Sequence, residues 1–254
     1  MTTTQQTHQQ GVEVSAGALP SDGLSRFVRM GAWAAMVSGL ALVVSMVLAW
    51  LVVPYERLGL TDAYLTTSYS VSSGLRLLAL VLLVWGLIGI YSPQSRAAGT
   101  FGLWTFVFVF LGTALAAGNV WAEVFVYPTL AQIAPAMLSG AGFEREAAYM
   151  STGLSLSYPL FFLGLILFAA STFWARVYPR WIALLLVISV PVTMFLDPTA
   201  GTFQESIGPA LWGFAIAAYG FYALRRGPST TSSSSSSSKG SRALEPQAFE
   251  DLRL

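Results

Sequence analysis

The chain has no cysteine, one histidine and one lysine among 254 residues, and few charges of either sign: 13 Lys and Arg against 12 Asp and Glu, 10% of the whole. Each shortage excludes something. Without cysteine there are no disulfides, thiolate metal sites, iron–sulfur clusters or thiol nucleophiles, and the redox compartment is left open. The histidine is His8, in a polar N-terminal stretch. The apolar body therefore has no imidazole for haem, zinc or di-iron ligation, nor for a Ser-His dyad. The lysine is Lys239, near the other end, which removes an internal Schiff base. No glycine-rich loop runs into a GK[ST] sequence. A net charge of +1 supplies no field for nucleic acid. Carboxylate and arginine chemistry survives, without a positive sign of catalysis. The expectation is a non-enzyme with no catalytic, cofactor-binding or metal-binding set.

A soluble domain carries roughly a quarter of its residues as charges. Here 55% are hydrophobic and mean hydropathy is +0.63, and so few charges cannot cover a water-facing surface without large apolar patches. The charges are missing in blocks. Runs without any span 30–55, 77–95, 97–122, 147–175, 181–196 and 206–224. A helix needs about 20 apolar residues to cross a hydrocarbon core, where an unpaired backbone is too costly to survive. The last run but one is short, and crosses if Arg180 snorkels and Asp197 reaches the headgroups. The sequence thus predicts an all-α integral membrane bundle of six transmembrane helices, about 29–53, 73–92, 101–123, 152–175, 179–197 and 206–225. The first run is too long for a signal-peptide core and reads as an anchor. The bundle, 26–226, lies between a polar tail, 1–25, and a serine-rich tail, 227–254. Both tails lack the apolar mass to fold alone.

Arginine positions predict the orientation. Arg26, Arg29, Arg96, Arg176, Arg180, Arg225 and Arg226 flank one set of helix ends, and Lys239, Arg242 and Arg253 follow in the tail; only Arg57, Arg76 and Arg145 fall on the other side. Positive residues stay inside, so both termini are expected in the cytoplasm and the protein in the cell membrane. Membrane lipids are its first partners. Leu244, Phe249 and Leu252 beyond the serine run could dock a protein partner, although the composition suits an unstructured tail better. Between the helices, the stretch Thr129–Leu138 is apolar but too short to span, and is expected in the outer interface or in a shallow re-entry.

Small residues recur every four positions: Gly31, Ala35 and Gly39 in the first helix, Gly112 and Ala116 in the third, Gly213 and Ala217 in the sixth. Such stripes let helix backbones approach closely in lipid, and packing within one bundle is their simplest use.

Ionisable groups at membrane depth are costly and find partners. Arg76 is expected one turn into the second helix, to pair with Glu123 at the end of the third or Asp197 at the end of the fifth. Asn119, Thr193 and Glu205 are expected at the same level, completing a polar cluster near the outer surface. It is either an ion pair that locks helices together or an outward-facing pocket for a small solute or ion. Glu144 and Glu146, flanking Arg145, read as a solvated face rather than a carboxylate pair. The expected function is binding or helping to transport a small solute or ion at this outward-facing cluster; the alternative is a non-catalytic accessory or scaffold role, and the third is lipid modification within the membrane.

Two segments, Tyr127-Pro128-Thr129-Leu130-Ala131-Gln132-Ile133-Ala134-Pro135 and Tyr178-Pro179-Arg180-Trp181, resemble parts of uncharacterised bacterial polytopic inner-membrane proteins. The resemblance implies a helical bundle of unknown function and transfers no site residues.

Overall fold

The computed structural model describes residues 21–138, 148–195 and 203–226, all in helices or the short turns between them. Among the described residues there are eight α-helices: α1 (Ser21–Val52), α2 (Tyr55–Ala63), α3 (Thr67–Tyr91), α4 (Ser95–Phe125), α5 (Tyr127–Ile133), α6 (Ala148–Ala175), α7 (Arg180–Phe195) and α8 (Phe203–Arg225). Single 3-10 turns at Ser92–Gln94 and Pro135–Leu138 complete them. No strand occurs among the described residues. The serine-rich tail and the Glu144–Glu146 loop lie outside them.

Four helical stretches are long and apolar enough to cross a membrane: Ser25–Val52, Thr67–Ile133, Ser155–Ala175 and Ser206–Arg225. The second contains both α3 and α4, folded back on each other at the 3-10 turn. Pro93 in that turn has no N–H to give the preceding helix, which helps to end α3 there. The remaining apolar helix, α7, has 16 residues.

Five of the six long helices begin earlier than the expected spans, α7 being the exception. Thr66 explains α3: its hydroxyl oxygen accepts the N–H of Tyr69 at 3.2 Å, an N-cap that starts the helix six residues ahead of the apolar run expected from 73. Polar residues are tolerated in these extra turns because the helix ends lie beyond the apolar middle. Two glycines break helices from within. Gly59 (φ 74°) bends α2, and Gly99 (φ 57°) divides the first turn of α4 from the rest; only glycine takes that conformation cheaply. Arg176, just past α6, adopts φ 55° without being glycine.

The six long helices run up and down in ring order: α1 beside α3, then α4, α6, α7 and α8, with α8 back against α1. Neighbours are antiparallel, as three contacts along α1 and α3 show. Gly31 meets Gly89, the Ser38 hydroxyl donates to the Ala79 carbonyl at 2.7 Å, and the Ser45 hydroxyl donates to the Ser72 carbonyl at 2.7 Å. Leu83, Leu87, Leu165, Phe168, Leu186 and Ile216 fill the centre, fully buried.

The small-residue stripes lie at these seams. A Cβ on Gly86 would stand 2.7 Å from Ala35 Cα, one on Gly112 2.6 Å from Phe161 Cα, and one on Gly164 2.7 Å from Val109 Cα. Gly39 lies against Gly213 and Ala217, and Gly220 against Ala32 and Met36. The stripes seal helix to helix inside one chain, as backbone proximity in lipid requires.

Candidate functional site

The two ends of the ring differ. One end carries α2, α5 and the 3-10 turn Pro135–Leu138, which gather Val53, Ala63, Tyr64, Tyr69, Tyr127, Ala131 and Leu138 into a second hydrophobic cluster separate from the main core. The stretch expected at the interface is therefore part of a small cap: α5 and its 3-10 turn pack on Tyr64 and Tyr69. The opposite end carries exposed Arg26, Arg29, Arg96, Arg176, Arg180, Arg225 and Arg226.

Arg76 lies beneath the cap. Because α3 begins at Thr67, Arg76 is about two and a half turns into the helix, deeper than the single turn its position in the apolar run suggested. It pairs with Glu123 of α4, Nη2 donating to Oε2. The Tyr158 hydroxyl of α6 donates to the other oxygen, Oε1, at 3.2 Å. One carboxylate thus joins three helices. Side-chain exposure is 27% for Arg76 and 13% for Glu123, so the pair is mostly removed from solvent. Tyr64 stacks edge-on against Tyr69 (centroids 4.9 Å) and lies 5.5 Å from Tyr127. Burial, helped by the Glu123 charge, pushes the Tyr127 phenol up to about 12 and raises Tyr64 as well. Both phenols are neutral hydrogen-bonding groups at any physiological pH.

Other members of the expected cluster separate. Asn119, one turn from Glu123, donates its side-chain N–H to the Ser157 hydroxyl of α6 and so reinforces the α4–α6 seam. Thr193 bonds its own helix, donating to the Ser189 carbonyl at 2.7 Å, and abuts Gly208 of α8. The helices next to α7 in the ring are α6 and α8, so Thr193 belongs to another seam. Asp197 lies outside the described residues, and Glu205 falls in the first turn of α8 with its side chain outside them. Among the described residues no three acids or histidines gather as a metal site.

Tyr64, Tyr69, Tyr158 and Ser157 are the residues that sequence reasoning missed here. None of them carries a charge, so the charge pattern that marks Arg76 and Glu123 passes over them. A carboxylate near membrane depth with one arginine partner still has lone pairs to fill, and that requirement was the available signal.

Two features mark the arginine-rich end. The Tyr178 hydroxyl, in the turn between α6 and α7, donates to the Ile90 carbonyl in the last turn of α3 at 2.8 Å, where helix carbonyls lose their own partners. One turn further on, Gln94 is wholly buried, and neither its amide nitrogen nor its amide oxygen has a partner among the described residues. On the outer surface of the same hairpin, a groove of about 500 Å³ is lined by Ile88, Tyr91, Ser92, Ser95, Phe106 and Phe110.

In comparisons with known proteins, no family model, no curated protein and no solved structure matches the chain.

Proposed function

We propose that the chain crosses the cell membrane six times, with its arginine-rich end and both termini in the cytoplasm, and that it works as a non-catalytic accessory or scaffold subunit. Six antiparallel apolar helices support the span count, α7 crossing with Arg180 at its end. Seven arginines at one end, against Arg57 and Arg76 at the other among the described residues, support the orientation.

The observation that carries the scaffold reading is the Arg76–Glu123 pair. It closes on itself, takes Tyr158 as a third member and sits under a cap of neutral tyrosines. Such a cluster holds α3, α4 and α6 in register.

A second reading, binding of a small solute or ion at this cluster, has one observation in its favour. Arg76 Nε is buried without a partner among the described residues, so the guanidinium keeps a donor in reserve. The double variant Arg76→Leu/Glu123→Leu separates the two. A scaffold lock predicts that removing both charges restores the folding lost when one is removed, with co-purifying proteins retained. Loss of solute binding or flux in a double variant that folds normally would overturn the scaffold reading in favour of the second.

A further inference from the structure

The α3–α4 hairpin turns at the arginine-rich end, and its outer surface carries the groove described above. Its floor is stiff. Tyr91 and Phe106 stack face to face across the two helices, with centroids 4.6 Å apart and planes 20° from parallel, and Phe106 continues to Phe110 at 5.8 Å. The 3-10 turn with Pro93 fixes the end of the groove. Apolar along its length, the groove becomes polar there, at Ser92 and Ser95. The Ser95 hydroxyl donates to the Ser92 carbonyl at 2.9 Å, which leaves its oxygen free to accept. The Ser92 hydroxyl bonds no described residue. Arg96 follows immediately, exposed and paired with no described acid. On the outward surface of the two helices, Leu78, Val81, Leu103 and Leu111 are each about half exposed or more. The surroundings of this face are therefore hydrocarbon rather than water.

We propose that this groove binds an anionic phospholipid. One acyl chain lies along Ile88, Tyr91, Phe106 and Phe110, and the phosphate meets Ser92, Ser95 and Arg96. The volume lies within the range of small-molecule sites. The choice of lipid follows from charge: all seven arginines of this end are exposed, and no described ion pair occupies any of them. Basic, hydroxyl-bearing clefts beside spanning helices select anionic over zwitterionic headgroups. A zwitterionic lipid would fill the apolar part equally well, but its own ammonium offsets part of what its phosphate gains from Arg96. The proposal rests on the membrane reading above and is independent of the scaffold role.

The absence of cysteine makes the test clean. The full chain carrying Ala97→Cys, an exposed position just beyond the site, is labelled with a small fluorophore in detergent. It is titrated with phosphatidylglycerol and with phosphatidylcholine, both brominated on the same acyl chains. A second label at Leu184→Cys, on exposed α7 surface, reports lipid away from the groove. Phosphatidylglycerol is expected to quench the label at 97 at a concentration lower by on the order of fivefold, about the worth of one arginine beside an anionic headgroup. Arg96→Gln should abolish that preference, and Ile88→Trp, which fills the groove, should weaken quenching by both lipids. The label at 184 should not discriminate. Equal quenching by the two lipids at 97, or the same preference at 184, overturns the site. Competition by soluble glycerol phosphate as effective as the lipid overturns the acyl-chain half of it. If neither lipid quenches either label, the membrane reading itself fails.

Discussion

Gly86 of α3 and Ala35 of α1 bring their backbones so close that a Cβ on the glycine would stand 2.7 Å from Ala35 Cα. No side-chain rotation can relieve that contact, because the obstructing atoms belong to the main chain. Gly86→Val is therefore expected to force α1 and α3 apart and to cost at least the ~1–3 kcal/mol typical of overpacking. Gly118→Val, where a Cβ would meet nothing within 4 Å, should be close to neutral. Thermal unfolding of the two variants in the same detergent checks the difference.

Arg76→Leu should be the most damaging single exchange at the capped end. It leaves Glu123 at 13% exposure with only the Tyr158 hydroxyl, and stranding one member of a buried pair costs about 3–5 kcal/mol. Adding Glu123→Leu should recover most of that loss. A double variant no more stable than the single would mean that the pair does more than cancel its own burial.

Alkaline titration should find Tyr127. Its phenol titrates near 10 in the unfolded chain and at about 12 when folded. The folded state then holds a proton that the unfolded state has lost, so stability falls as pH rises between these values and is unaffected below the lower one. Tyr127→Phe should flatten the fall. Melting temperature against pH, with tyrosinate absorbance followed in parallel, measures it.

At the other end, Gln94 has an amide buried with both polar atoms unpaired among the described residues. A buried polar group without a partner costs on the order of 1–3 kcal/mol, and an apolar group of the same shape removes that cost. Gln94→Leu is thus expected to hold or raise the melting temperature. Gln94→Glu should lower it sharply, since a carboxylate there has no cation among its described partners. A Leu variant that unfolds earlier than the parent would show that the amide is satisfied.

The bundle was legible in the sequence because charge is so expensive in hydrocarbon that its absence marks each long helix. The same cost singled out Arg76 and Glu123. What the sequence hid was neutral or local. The helices α2 and α5 are too short to give a periodic signal, so of the cap only the apolar stretch Thr129–Leu138 stood out. Gln94 carries no charge and sits beside a proline, and nothing in its neighbours announces burial. Thr193 and Asn119 shared a depth with Arg76, but depth alone does not say which seam a residue faces. That depends on ring order, which the small-residue stripes suggest only in part.

Closure of the ring by α1 against α8 has a consequence for synthesis. Gly39 meets Gly213 and Ala217, and Gly220 meets Ala32 and Met36, so the first helix made completes one of its two glycine seams with the last. Until α8 emerges from the ribosome, that face of α1 has only lipid to rest against. Hairpins α3–α4 and α7–α8 can form as they are made, whereas the α1–α8 seam is the final one to seal. Truncation before Phe203 should therefore yield a chain that inserts but stays open along one side, exposed to quality-control proteases.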